Sequence, residues 1–164
     1  MPSPAVDRAM ELARVDLSPR HRPPNLAAVA IATVASLVLC LLADWLLAKL
    51  AVAVFPADKG YVHFQFSDYA KLTIIGVIIA CVAWPVVTWI SSQPRWLFLR
   101  LAVLVTLVLW LPDVWILVHG EPIRGVGVLM LMHLAIALIT YPALVHLAPA
   151  GPRVDPPARA MIPG

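Results

Sequence analysis

The chain has 164 residues, 62% of them hydrophobic and 13% charged, with a net charge of +3. A soluble domain carries roughly 25% charged residues, so the composition excludes an ordinary water-soluble enzyme domain. The basic excess is small and sits in arginines near the chain ends, which reads as membrane topology; nucleic acid is not an expected partner and the lipid bilayer is.

Met1 to Pro24 is polar and holds five prolines. Within it Val6, Met10, Ala13 and Leu17 recur at helical spacing between charged residues, the pattern of an amphipathic helix of about three turns. The functional reading is a helix on the cytoplasmic membrane face or on a partner. The plainer expectation is a frayed tail, because helices this short are marginal in water and this one lacks a Lys-rich face. The segment is too long and too mixed in charge for a signal peptide, so the first span is expected to be retained.

Leu26 to Val54 is apolar, interrupted only by Asp44 and Lys49. An uncharged run of 18 or more residues is long enough to cross a bilayer as a helix. Pro56 ends this span by removing an amide and clashing with the preceding turn. In the loop from Phe55 to Asp68, the alternation of Tyr61 to Phe66 predicts a short extended piece, with its aromatic rings at headgroup level. Ser67 or Asp68 is the expected cap of a second span, about residues 69–91. Lys71 lies in its first turn, where a long stem can snorkel to water. Trp84-Pro85 predicts a kink.

The short connection Ser91 to Arg95 implies a tight hairpin into a third span, about residues 96–118. The loop His119 to Gly125 leads to a fourth, about residues 126–147. The expected fold class is all-α: a polytopic membrane protein with a four-transmembrane-helix antiparallel bundle over residues 26–148. It is flanked by a polar tail, 1–25, and a Pro-rich tail, 149–164, expected to be disordered.

With four spans, both tails and the 91–96 turn share one side. That side holds Arg8, Arg14, Arg20, Arg22, Arg95, Arg100, Arg153 and Arg159, against Lys49, Lys59, Lys71 and Arg124 on the other. The bias places both termini in the cytoplasm.

Ionisable side chains inside the bilayer cost about 2.5–3.5 kcal/mol each on insertion scales and need partners or water. At ~1.5 Å per residue, Asp44 lies ~27 Å from Leu26, Asp113 ~26 Å from Trp96 and His133 ~12 Å from Gly125. Asp44, Lys71, Asp113 and His133 therefore all fall in the outer half. One reading is a polar pocket open to the extracytoplasmic side, able to relay protons, hold a metal, or grip a lipid headgroup, quinone or other small molecule. The other is that the aspartates finish their helices at the interface, with Lys71 the better partner for Asp44, while His133 bonds a neighbouring helix. No His-x-x-x-His, Cys-x-x-Cys or Glu-x-x-His spacing fixes a metal ligand set, so neither a metal nor a cofactor is expected.

Ala28, Ala32, Ser36, Cys40 and Asp44 recur every four residues, and Gly76-x-x-x-Ala80 repeats the spacing in the second span. Such small-residue strips let membrane helices approach closely, within the bundle or against a partner subunit. Thr106, Trp110 and Asp113 share a face of the third span, and His133, Ala137 and Tyr141 of the fourth. Most tryptophans fall near span ends as an aromatic belt, with Trp84 and Trp110 deeper, as packing residues. Cys40 and Cys81 both lie within spans, at different estimated depths, which argues against a disulfide or a redox pair.

The late aspartate of the first span (Leu42-Ala43-Asp44-Trp45), the turn Gln93-Pro94-Arg95 and the histidine in Leu131-Met132-His133-Leu134 together resemble the uncharacterised small four-helix integral membrane proteins of actinobacteria. The resemblance covers about residues 26–148. Some of those proteins are similar to accessory subunits of envelope complexes, including mycobacterial lipid-uptake transporters. The resemblance thus implies a non-enzymatic accessory or scaffold subunit with a membrane-protein partner or a homo-oligomer. The alternative is a small-molecule, lipid-headgroup or proton-handling protein built on the outer-half polar cluster. No catalytic motif is present, and the chain is read as a non-enzyme.

Overall fold

The computed structural model describes residues 4–12, 21–56 and 62–153, and the regular elements among them are helices. Helix α1 spans Pro4–Leu12 and buries none of its residues. Ala13 and Leu17, the rest of the expected stripe, lie outside the described residues, as does Tyr61. Four long helices follow: α2, Leu26–Val54; α3, Phe66–Ile90; α4, Pro94–Val118; and α5, Ile123–Leu147. Each is long and apolar enough to cross a membrane. The chain is an all-α polytopic bundle.

Local chemistry sets the helix ends. Asn25 precedes α2, and its side chain accepts from the Ala27 amide at 2.9 Å, a capping signal visible in the sequence as an Asn before an apolar run. Pro94 opens α4, where a missing amide costs no helical bond. At its other end Gly120 takes φ +100°, and the amides of Gly120 and Glu121 donate to the Leu117 and Ile116 carbonyls, both at 3.2 Å. This is the Schellman closure, which a left-handed glycine permits at no steric cost.

The loop before α3 departs from expectation. Val62–Phe64 forms a 3₁₀ turn rather than an extended piece. An extended tripeptide here would have no strand to join, whereas a tight turn satisfies its backbone locally. Helix α3 begins at Phe66 with Gln65 as its cap residue, which makes no side-chain cap bond. Neither Ser67 nor Asp68 is the cap, and Asp68 instead meets His63 at 3.4 Å. Helices α4 and α5 likewise start two or three residues before the apolar windows, because hydropathy marks the hydrocarbon crossing and helices continue into the headgroup layer.

Contacts at the two ends of the bundle establish the antiparallel order. At one end the chain entering α2 meets the end of α3 and the chain leaving α5: His21 Nδ1 lies 3.3 Å from the Ser91 carbonyl, and Trp84 Nε1 donates to the Ala148 carbonyl at 2.7 Å. At the other end the Arg124 guanidinium lies over the Phe55 ring, 4.9 Å from its centre.

The core is two clusters in series. The larger, at the terminal end, is built on Ala32, Cys40, Val77, Cys81, Trp84, Phe98 and Leu144; the smaller contains Ala48, Ala51, Tyr69, Ala70, Val128 and Met132. Both cysteines are free and belong to the larger cluster. The strip of α2 is consumed inside the chain, since Ala32, Ser36, Cys40, Asp44, Ala48 and Ala51 are all buried and α5 is the principal neighbour. Ala28 packs at its end, partly buried. Small side chains let the two backbones approach, which matters where lipid is as apolar as the partner helix.

Residues 151–153, inside the stretch read from the sequence as a Pro-rich tail, bond back to the chain entering α2. The Arg22 amide donates to the Pro152 carbonyl at 3.1 Å and the Gly151 amide to the Arg22 carbonyl at 2.9 Å, and His21 pairs with Arg153 as an isolated antiparallel bridge. A Cβ on Gly151 would stand 2.8 Å from Arg22 Cβ and 2.9 Å from its carbonyl oxygen. Only glycine permits this closeness. Residues 154–164 lie outside the described part of the chain.

Candidate intramembrane polar site

Each of the four spans sends one polar side chain to the same part of the bundle. Asp44 of α2 is fully enclosed, at 0% exposure, in the seam between the two core clusters. Thr73 of α3 donates its hydroxyl to Asp44 Oδ2 at 2.6 Å. The other carboxyl oxygen, Oδ1, is buried and has no hydrogen-bond partner. Asp113 of α4 and His133 of α5 form a second pair, Nδ1 to Oδ2 at 3.0 Å, with side chains 8% and 19% exposed. From their loop-side helix ends, Thr73, Asp44, Asp113 and His133 lie ~10, ~15, ~8 and ~15 Å deep, all within the loop-side half.

Helix rotation explains who meets whom. Lys71, the expected partner of Asp44, is exposed, and Thr73 takes its place. Two residues apart on a helix turn side chains about 200° from one another, so one face cannot hold both. Thr73 belongs instead to the inward row with Val77, Cys81 and Trp84. Sequence reasoning missed it, although a hydroxyl on that row at the depth of Asp44 was a usable signal. Lys49 points outward too, its Nζ 6.0 Å from the centre of the Trp45 ring.

The shared faces on α4 and α5 meet as well. Trp110 Nε1 donates to the Met130 carbonyl at 3.1 Å. Below it Thr106, Trp110, Ala137 and Tyr141 line a lipid-side groove of about 340 Å³. In α3, Gly76 is partly exposed with nothing within 4 Å of where its Cβ would stand, and Ala80 is partly buried against the larger cluster.

Chemically, the Asp113 contact fixes the imidazole. With Nδ1–H donating to Asp113, the neutral ring presents Nε2 as its basic nitrogen. Asp44 offers a carboxyl oxygen that accepts nothing, in a place where an unsatisfied polar atom is costly. Among the described residues no group of three or more His, Cys, Asp or Glu side chains is arranged to hold a metal ion.

Comparison with known families places this geometry. The model of a family of unknown function, DUF6069, matches residues 17–150. The chain belongs to the DUF6069 family. The match takes in all four spans, and with them every member of the polar site, so the site is part of the DUF6069 segment rather than of the tails. No curated protein and no solved structure matches the chain.

Proposed function

We propose that this membrane protein handles protons through Asp44 and the Asp113–His133 pair, as a non-enzyme with both termini in the cytoplasm of a bacterial inner membrane. The observation that supports this reading is the enclosed Asp44 carboxyl with one oxygen unpartnered. A group with no exposure suits a proton better than a larger ligand, which would need a cavity around it. Asp113, ~8 Å from the loop-side end of α4, links the outer surface to His133, and Asp44 is the enclosed proton store. Intramembrane ionisable residues that face a bundle interior mark ion pathways, proton relays and counter-ion sites. The test is infrared difference spectroscopy of the reconstituted protein between acid and neutral pH. A protonated-carboxyl band that changes with pH and is lost in Asp44→Asn is expected, shifted in His133→Ala. A wild-type difference spectrum from which Asp44→Asn removes no band would remove the reading.

A second reading is a non-enzymatic accessory subunit of an inner-membrane complex, in lipid or envelope transport. Gly76 favours it, since a small residue with nothing within 4 Å of its Cβ position leaves room for a helix from another chain. Gly76→Leu is then expected to abolish a crosslinked partner or homo-oligomer band in native membranes without lowering the protein level. An unchanged band sinks this second reading and leaves the first intact.

A further inference from the structure

We infer that the cleft at the terminal end of the bundle binds the phosphate headgroup of an anionic phospholipid. The cleft has a volume of about 500 Å³ and is lined by His21, Gln93, Arg95, Trp96, Gly151 and Arg153, among others. Among the described residues, no acidic side chain lines it. Arg95 and Arg153 are exposed, and among the described residues neither they nor Arg22 pairs with a carboxylate. Arg100 is differently engaged, lying 3.4 Å over the Trp96 ring. The guanidinium fork matches phosphate oxygens in geometry and keeps its charge at any physiological pH.

The cleft is built rather than left between two loose tails. The bonds between Arg22 and residues 151–152 fix the backbone on one wall, and His21 ties that wall to the Ser91 carbonyl. On the other wall, Tyr141 donates its hydroxyl to the Arg95 carbonyl at 3.3 Å. The amino end of α4 also borders the cleft, and a helix amino end favours anions.

What selects a lipid over free phosphate is the surface next to the charges. The apolar groove between α4 and α5 begins at Leu99, one turn from Arg95, and runs past Val103 and Leu107 to Trp110. That distance is ~16 Å along the helix, about half of a ~30 Å hydrocarbon layer and so the depth of one leaflet. A cationic cleft one helical turn from an apolar groove of leaflet depth fits one molecule with a phosphate at one end and an acyl chain at the other. Basic pockets between membrane helices hold lipid headgroups in this manner.

The test is native mass spectrometry of the full chain released from micelles containing phosphatidylglycerol or phosphatidylcholine, with sodium phosphate as a third arm. Wild type is expected to retain phosphatidylglycerol in preference to phosphatidylcholine. Arg95→Gln/Arg153→Gln is expected to weaken that retention about tenfold or more. Gly151→Ala, which keeps every charge but forces Arg22 away, is expected to weaken it too. Equal retention of the two lipids, unchanged retention in either variant, or equally tight binding of inorganic phosphate alone would each overturn the proposal.

Discussion

Asp44→Asn is expected to reduce protein-dependent proton flux into proteoliposomes to the level of empty vesicles, while the bundle unfolds within about 1 kcal/mol of wild type. The two halves of this result come from different atoms. Asparagine has the shape of aspartate and keeps a carbonyl oxygen for the Thr73 hydroxyl, so the 2.6 Å contact survives with a neutral acceptor. Interhelical hydrogen bonds in membranes average about 0.6 kcal/mol, which limits how much this change can cost. What asparagine cannot do is gain or lose a proton at the position of Oδ1, the oxygen that has no partner. Flux is read from a pH dye inside the vesicles with the charge movement compensated, and stability from unfolding in mixed micelles. If Asp44→Asn conducts as wild type does, Asp44 is a packing group and the proton reading fails.

Trp84→Ala is expected to be the most damaging single substitution for stability, at about 3 kcal/mol. Trp84 is the largest fully buried side chain and packs on Phe98, ring centres 5.0 Å apart. Phe98 in turn stacks on Tyr141 at 5.9 Å, so one indole joins α3, α4 and α5. The loss falls at the low end of Trp→Ala values because the separated helices are in lipid, and what disappears is packing rather than shelter from water. Trp84→Phe separates out a second component. It keeps most of the volume but leaves the Ala148 carbonyl, one of the orphan acceptors at the end of α5, buried and unpaired, at about 1–2 kcal/mol. Maleimide labelling of Cys40 and Cys81 reports the result directly, since both thiols are buried in the cluster that Trp84 anchors. Unchanged labelling in Trp84→Ala would show that the terminal end of the core does not depend on the indole.

The polar site was only partly legible in the chain. Asp44, Asp113 and His133 stand out because charge is rare in apolar runs, and rise per residue places each of them in one half of the bilayer. Their pairing was not legible. Whether His133 meets Asp113 or Asp44 depends on how α5 is rotated between α4 and α2, and that rotation is set by packing along the whole helix. Lys71 shows the same limit, being a sound partner by depth but on the wrong side of α3. Thr73 was overlooked because a hydroxyl in a membrane helix commonly bonds its own backbone, as Thr33 and Thr106 do here.

The clasp of Arg22 with Gly151 and Pro152 lay furthest from view. Its bonds join backbone groups 130 residues apart in segments whose composition reads as loop, and no local pattern encodes such a contact. By itself, the sequence determined the class of this protein, its four spans and the position of each charge along its span, because those follow from apolar length and rise per residue. Only the tertiary structure decided that Thr73 and not Lys71 serves Asp44, that Asp113 holds His133, and that the two tails close a basic cleft. Those are relations of rotation and contact between segments distant in the chain, and one-dimensional periodicity does not carry them.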